Sequence, residues 1–262
     1  MQEVTPKKLP PLSVVIPCLN EESNVSATIH DTLQAFEHYG IDGNIVVVND
    51  GSSDRTADVI AAWVERDDRV SLLNHEYPKG VGASFWDGVK VATGDFVMMM
   101  PGDNENDPID SLCYYYLTQD VDIIVPFIMN IEVRSKFRRI VSSLYRLVIN
   151  LSFGLNLNYT NGTVIYNRHL LNNIDLKTTG FLYHSELLIK LIRGGYFYAE
   201  TPHLLAVRGS GKSNALTLYS LGNVMSGYLR LMWEIHFTRR EGRVNIKLNT
   251  KSVTYRRYRG LP

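Results

Sequence analysis

The chain has 262 residues, of which 45% are hydrophobic and 21% are charged, a balance typical of folded globular proteins. Lysine and arginine together number 27, as do aspartate and glutamate, so nucleic-acid binding through bulk positive charge is not expected. The two cysteines, Cys18 and Cys113, are too few for a disulfide framework or a four-cysteine zinc site. A reduced, intracellular setting is the simplest interpretation.

The amino-terminal residues 1–11 are polar and lack the apolar segment of a secretory signal peptide. No stretch of the sequence approaches the ~20 apolar residues that are needed to cross a bilayer. We therefore expect a cytoplasmic protein that is either soluble or peripheral on the cytoplasmic face of a membrane.

The first half of the sequence alternates short apolar runs with segments of helical spacing. Continuous apolar strands joined by helices are typical of parallel sheets that are covered on both faces, so this half predicts an α/β fold. The predicted strands are 12–16, 45–48, 70–73 and 96–100, and the predicted helices are 21–39, 53–64 and 82–92.

The second half is less regular. It predicts strands at 122–126, 162–166 and 204–207, and helices at 134–151, 185–193 and 216–236. Neither a repeat nor a low-complexity linker divides the chain. We expect a single domain over residues 1–262, with a helical and basic section from about residue 215.

Polar or glycine-rich loops follow the four strands that are predicted in the first half. Any one such loop can be an ordinary turn. In parallel sheets, however, ligands bind beyond the carboxyl ends of the strands, so four such loops at one edge favour a binding site. The four loops are 17–22, 49–54, 79–83 and 101–108.

Asp103, Glu105 and Asp107 alternate directly after the fourth predicted strand. Residues two apart on an extended segment point the same way, and clustered carboxylates repel one another unless a cation lies among them. Hard divalent ions such as Mg²⁺ or Mn²⁺ prefer oxygen ligands and are often shared with substrate phosphates. The spacing therefore favours a metal site; the alternative is an Asx-type turn that caps a helix after Pro108.

These motifs, taken together and in this order, resemble family 2 glycosyltransferases with the GT-A nucleotide-sugar fold. Within that family the chain is most similar to the dolichol-phosphate mannosyltransferase branch, whose members act on polyprenyl phosphates. The similarity runs from about Leu12 to Asn214, and the order and spacing of the motifs carry it. The matching segments are 14–22, 46–54, 79–83, 93–105 and 155–166.

The resemblance implies an inverting, metal-dependent enzyme that transfers a hexose from a GDP- or UDP-sugar to a polyprenyl phosphate. Asp103 and Glu105 would hold Mg²⁺ or Mn²⁺ at the diphosphate, with Asp107 nearby. Arg208 would belong to a loop that closes over the phosphates. The residues expected to contact the nucleotide sugar are Pro17, Leu19, Glu21, Asp50, Gly80, Asp103, Asn104, Arg208 and Lys212.

The chain also departs from the family pattern. Asn49 replaces the first acidic residue of the second loop, and Glu105 replaces the second metal-binding aspartate. Pro126 and Phe127 stand where the branch has a serine–arginine pair, and Lys212 comes one position early. These departures leave the donor and the acceptor open.

The acceptor decides whether a general base is needed. A lipid phosphate is already an anion, whereas a sugar hydroxyl, as in surface-polysaccharide synthesis, must lose its proton to a carboxylate. Glu186 is the best candidate for that base and His184 is the second. Both residues also suit the ordinary first turn of a helix.

Residues 134–146 contain five basic side chains and no acidic one, interleaved with apolar residues, and 239–259 contain eight basic side chains against one glutamate. Both segments could contact an anionic membrane surface, or could be a solvated helix face and a tail. Residues 206–213 nearly match a phosphate-binding loop, so an NTPase is a distant alternative. A non-catalytic sugar-nucleotide-binding protein is another.

Overall fold

The structure is a computed structural model that describes residues 8–172, 174–180, 182–204, 218–238 and 248–261. Its centre is a seven-stranded sheet in the order β3-β2-β1-β4-β6-β5-β7, in which β6 runs antiparallel to both of its neighbours and the other pairs are parallel. The mostly parallel α/β sheet expected from the sequence is therefore confirmed. The strands are β1 (Leu12–Cys18), β2 (Gly43–Asn49), β3 (Val70–Asn74), β4 (Phe96–Met99), β5 (Ile123–Ile128), β6 (Ile165–Asn167) and β7 (Tyr198–His203).

Helices cover both faces of the sheet. Along β1, Val14 and Ile16 join the apolar cluster of one face, while Val15 joins the cluster of the other. This alternation explains the continuous apolar run in the sequence, because both sides of the strand are buried. The described helices are α1 (Val25–Tyr39), α2 (Thr56–Val64), α3 (Val81–Val91), α4 (Pro108–Leu112), α5 (Lys136–Phe153), α6 (Arg168–Leu171), α7 (Tyr183–Arg193), α8 (Leu218–Trp233) and α9 (Val253–Tyr258).

The sequence analysis missed one strand and one helix. The missed strand is β7 over Tyr198–His203; Leu204 lies beyond its end, and the other residues of the strand predicted at 204–207 lie outside the described residues. The polar residues of β7 and its Pro202 hid the strand in the sequence. The expected basic tail contains α9, which packs Val253 and Thr254 into the interior.

Helices α5 and α8 pack against each other near α7. Ile149 and Phe153 of α5 share a buried cluster with Leu231 of α8, and the hydroxyls of Ser152 and Tyr228 are 2.7 Å apart. Both helices also carry exposed apolar side chains, described below. Among the described residues, no helix is both long enough and apolar enough to span a bilayer.

Candidate functional site

A cavity of about 670 Å³ lies beyond the carboxyl ends of β1, β2 and β4. Residues from all four loops that the sequence singled out contribute to its wall. Six of the expected nucleotide-sugar contacts line this one cavity: Pro17, Leu19, Glu21, Asp50, Gly80 and Asp103. The structure therefore brings these residues together, while their individual roles stay predictions.

Asp50 is held rigidly at the cavity wall. Its Oδ1 accepts hydrogen bonds from the backbone N–H of Lys79 (2.9 Å) and from the imidazole of His75 (2.7 Å), and its Oδ2 accepts from the backbone N–H of Gly80 (2.9 Å). Burial alone would raise the pKa of Asp50, but these hydrogen bonds and one from Ser84 outweigh it and lower the pKa below its ordinary value. Asp50 is consequently an oriented carboxylate anion at neutral pH.

The turn at Gly80 and the start of α3 contact residues 177–180, which form another part of the cavity wall. Gly80 has φ of +97°, and the backbone N–H of Gly82 donates to the carbonyl of Thr179 at 2.8 Å. A Cβ at Gly82 would lie 2.8 Å from that carbonyl oxygen, so glycine is required for the close approach. Residues 177–180 line the cavity as a result, a contribution that the sequence analysis missed because no local motif marks it.

The predicted metal ligands are only partly brought together. Asp103 lines the cavity and its Oδ1 accepts from the backbone N–H of Glu105 at 3.2 Å. Asn104 lies between them in the left-handed conformation, with φ of +54°, and neither Asn104 nor Glu105 is among the residues that line the cavity. Asp107 caps α4, because its Oδ1 accepts from the backbone N–H of Ile109 at 2.8 Å.

The capping turn, which the sequence offered as the alternative, thus forms at Asp107. In the part of the chain that the structure describes, no group of three or more histidine, cysteine, aspartate or glutamate side chains is placed to hold a metal ion. The metal-binding roles of Asp103, Glu105 and Asp107 stay predictions. Asp103 and Glu105 still fit Mg²⁺ or Mn²⁺ in chemistry, since both offer hard oxygen ligands and such ions take their other ligands from phosphates.

Two of the acidic residues that line the cavity act electrostatically on Cys18. Cys18 contributes to the lining, and burial raises the pKa of its thiol. The negative charges of Glu21 and Asp103 raise it further.

The two candidate bases are buried, and neither is among the residues that line the cavity. Glu186 accepts hydrogen bonds at both carboxylate oxygens, from the backbone of Lys177 (3.1 Å) and Thr178 (3.0 Å), and from the ammonium of Lys190 (2.6 Å). Its contacts hold the 177–178 segment in place. The general-base role stays a prediction that none of these contacts supports.

His184 is fully buried between two tyrosines. Its Nδ1 lies 3.2 Å from the hydroxyl of Tyr166, and its Nε2 lies 2.6 Å from the hydroxyl of Tyr183. Burial lowers the pKa of His184 to about 3, so the imidazole is neutral at physiological pH. Its contacts are internal to the core.

The expected phosphate-binding residues Arg208 and Lys212, and the segment that resembles a phosphate-binding loop, lie outside the described residues. The described wall nevertheless carries positive charge from Lys79, Lys177 and Arg230. Arg230 lies on α8, together with the lining residues Asn223 and Ser226. The sequence analysis predicted a helix here without linking it to the site, so this part of the cavity wall was missed.

Asn49, one of the departures from the family pattern, has a structural role. Its side-chain amide donates to Oδ1 of Asn74 at 2.9 Å, and its own Oδ1 accepts from the backbone N–H of Ser52 at 3.2 Å. An aspartate could not donate the first of these hydrogen bonds. The substitution therefore accompanies a direct link between the ends of β2 and β3.

Solved structures of other proteins show which fold this chain has. Mannosyl-3-phosphoglycerate synthase from Rubrobacter xylanophilus aligns with a TM-score of 0.65 at 16% identity, over 92% of this chain and 79% of that one. Glucosyl-3-phosphoglycerate synthase from Mycobacterium tuberculosis aligns with a TM-score of 0.60 at 18% identity, over 86% of this chain and 79% of that one. That structure was solved with Mn²⁺, uridine diphosphate and glucosyl-3-phosphoglycerate. The fold is that of GT-A glycosyltransferases.

The particular family follows from the sequence comparison. Residues 13–188 match the profile of glycosyl transferase family 2, and the chain belongs to this family. The matched range begins at the second residue of β1 and extends beyond β6, and it includes every described residue that was expected to contact the nucleotide sugar.

Two curated relatives share part of their sequence with this chain. A dolichyl-phosphate beta-glucosyltransferase of Trichomonas vaginalis is 36% identical over 97 residues, which cover 35% of this chain and 30% of that protein. An undecaprenyl-phosphate 4-deoxy-4-formamido-L-arabinose transferase of Pectobacterium carotovorum is 31% identical over 166 residues, which cover 62% of this chain and 50% of that protein. The aligned regions thus span half or less of these relatives' lengths.

Proposed function

We propose that the protein is an inverting glycosyltransferase that uses a divalent metal and moves a hexose from a GDP- or UDP-sugar to a polyprenyl phosphate. The observation that carries the proposal is the convergence of Glu21, Asp50, Gly80 and Asp103 on one cavity beyond the ends of parallel strands. The named activities of the two curated relatives, both on polyprenyl phosphates, support the acceptor.

Asp50 would orient the nucleotide. A carboxylate has about four lone-pair sites, and three of those on Asp50 take N–H groups of the protein. The fourth site faces the Ser84 hydroxyl, which can donate instead to the carbonyl oxygen of Gly80 at 3.1 Å. That site would then accept from an N–H of the base or an O–H of the ribose. Because Asp50 is anionic and its plane is fixed, such a bond would be charge-assisted and directional.

Asp103 and Glu105 would hold the Mg²⁺ or Mn²⁺ that, when bound, neutralises charge on the departing diphosphate. The solved relative from M. tuberculosis, whose structure contains Mn²⁺ and uridine diphosphate, has the same fold. Three positive side chains on the cavity wall would also stabilise the negative charge of the departing diphosphate; they are Lys79, Lys177 and Arg230.

A phosphate acceptor suits the contacts of the expected bases. An anionic phosphate oxygen can attack the anomeric carbon from the face opposite the leaving diphosphate, which inverts that centre, without giving up a proton. Both carboxylate oxygens of Glu186 already accept hydrogen bonds from the protein. His184 is neutral and is enclosed by two tyrosines. A hydroxyl acceptor would require one of these groups to leave its partners.

We further propose that the acceptor is met at a membrane surface, with α5 and α8 as the contact. Exposed apolar side chains run along α5 at Phe137, Ile140, Leu144, Leu147 and Leu151. The segment that contains them has five basic residues and no acidic ones between 134 and 153, which complements an anionic bilayer.

The function is tested by measuring thermal stability with UDP and with GDP, each with and without Mn²⁺, followed by transfer of labelled sugar. One nucleotide should stabilise the protein by about 2.7 kcal/mol at a hundredfold excess over its Kd. Product from a short polyprenyl phosphate should extract into organic solvent, whereas product from a glycan acceptor should stay in water.

The matched variants are Asp103→Ala and Asp68→Ala, the latter removing an exposed carboxylate that does not line the cavity. Loss of charge stabilisation should lower the transfer rate of Asp103→Ala by about 10²-fold or more, with Asp68→Ala unchanged. Full activity of Asp103→Ala, or no stabilisation by either nucleotide, would contradict the proposal.

A further inference from the structure

His75 is a buried histidine enclosed by two carboxylates at the back of the cavity wall. Its side chain is 2% exposed, with Nδ1 2.7 Å from Oδ1 of Asp50 and Nε2 3.2 Å from Oδ2 of Asp87. The backbone N–H of His75 also donates to the carbonyl of Asn49 at 2.9 Å, so the residue continues the pairing of β2 and β3. The imidazole is thus held by its own backbone hydrogen bond and by the hydrogen bond between Nδ1 and Asp50.

The direction of the hydrogen bond to Asp50 follows from chemistry. An ionised carboxylate can only accept, so Nδ1 of His75 donates to Oδ1 of Asp50. The backbone N–H of Lys79 reaches the same oxygen, and that of Gly80 reaches the other. The two backbone donors come from one turn, whereas His75 approaches from the end of β3 and restrains the carboxylate from a second element.

Asp87 lies on the other side of the ring. It lies on α3, is about one-quarter exposed, and forms ion pairs with Lys90 at 2.7 Å and with Lys79 at 3.5 Å. Its carboxylate reaches Nε2 of His75 at ion-pair distance without the alignment of a hydrogen bond. His75 therefore lies between the carboxylates of Asp50 and Asp87.

We propose that His75 is a positioning residue for nucleotide recognition, which holds the Asp50 carboxylate in the orientation that accepts an N–H or O–H of the donor nucleotide. His75 does not line the cavity, so it acts through Asp50. The inference rests on the proposed function, because it assumes that Asp50 faces a nucleotide.

The test compares His75→Leu, which removes the donor at similar bulk, with His75→Asn, whose shorter amide can still donate to Asp50. The matched control is His169→Leu, which breaks the pair between Nε2 of His169 and Oδ1 of Asp95 (3.1 Å) at the amino end of β4, away from the cavity. The probes are UDP and GDP in calorimetric binding with Mn²⁺, together with the donor KM, kcat and thermal midpoint.

His75→Leu should weaken binding of the preferred nucleotide and raise the donor KM about tenfold, with kcat at saturating donor little changed. His75→Asn should recover most of that loss. His169→Leu should lower the thermal midpoint without moving the donor KM, which separates positioning from a general loss of stability.

Two results would overturn the inference while leaving the proposed function intact. In the first, the wild type binds UDP or GDP and His75→Leu binds it equally well. In the second, His75→Asn binds as weakly as His75→Leu. If the wild type binds neither nucleotide, the proposed function and the inference fail together.

Discussion

Carboxylates near the site differ in what they can do because their partners differ. Asp50 accepts from an imidazole and two backbone amides, Asp107 caps α4, and Glu186 is paired with Lys190 inside the fold. Asp103 lines the cavity and accepts one backbone hydrogen bond from Glu105. Residue type alone does not separate these roles; the hydrogen-bond partners do.

His184 should make the protein less stable as the pH falls. Its pKa is lowered by burial to about 3, against an ordinary value near 6.5 in the unfolded chain. Between these values the unfolded state binds a proton that the folded state does not, so stability rises with pH. The free energy of unfolding should fall by about 1.4 kcal/mol per pH unit from this group as the pH drops below ~6.5.

Urea unfolding of the wild type and of His184→Phe between pH 7.5 and about 4.5 measures this effect. The variant should be less stable at pH 7.5, because the Tyr166 and Tyr183 hydroxyls lose their partner, but its pH slope should be shallower. Burial lowers the pKa of His203 as well, so part of the slope should persist. Equal slopes for the variant, the wild type and a surface control, His38→Gln, would contradict the assignment.

At the scale of elements, α8 presents three different faces. Successive residues of an α-helix turn by about 100°. Ser226 and Arg230 line the cavity. Tyr228 and Leu231 pack toward α5. The side chains between these two faces are apolar and exposed: Met225, Leu229 and Trp233. The exposed apolar stripe of α8 is therefore adjacent to the cavity rim, where the proposed lipid acceptor would arrive.

The contact of α5 with a bilayer can be measured by flotation with vesicles that contain or lack phosphatidylglycerol. Leu144→Glu should weaken binding to the anionic vesicles about tenfold or more, since burial of one leucine contributes about 1.5–3 kcal/mol. Ser143→Glu adds the same charge at the next, exposed position and should weaken binding less. Raising the salt concentration should weaken binding of the wild type, because the basic residues contribute through screened charge.

Equal weakening by Leu144→Glu and Ser143→Glu would mean that charge alone is involved. A wild type that stays unbound to the anionic vesicles would contradict the membrane contact altogether.

At the scale of the whole molecule, a buried carboxylate ties the end of the described chain to the sheet. Asp122, which is fully buried just before β5, accepts from the backbone N–H groups of Val253 (2.8 Å) and Thr254 (2.9 Å) and from the amide of Asn167 (2.9 Å). The first turn of a helix has N–H groups without intrahelical partners, and Asp122 satisfies two of them for α9.

Asp122→Ala should lower the free energy of unfolding by about 3 kcal/mol, because it leaves buried donors unpaired. Asp120→Ala is the matched control, since Asp120 pairs at 2.7 Å with Arg257 of the same helix but both side chains are about half exposed. Asp120→Ala should lower the free energy of unfolding by no more than about 1 kcal/mol. Similar unfolding curves for the two variants in urea would show that Asp122 does not anchor α9.

Much of the fold could be predicted from the sequence because the signals were local. Buried strands such as β1 appear in the sequence as continuous apolar runs. The loops 49–54 and 101–108, which follow two of the strands, contain residue types that are typical of turns and of ligand binding. β7 and α9 were missed, since Pro202 and the basic residues near Val253 obscured short elements that depend on their neighbours for stability.

The sequence by itself determined the fold class, the family resemblance and the edge of the sheet where the cavity lies, since apolar periodicity and turn residues act over a few neighbouring positions. Only the tertiary structure decided that Asp107 caps a helix, that Glu186 is enclosed, and that His75 and Asp50 share a hydrogen bond. A side chain's partners depend on which strands and helices come to lie side by side, and that contact has no signature at the residue itself.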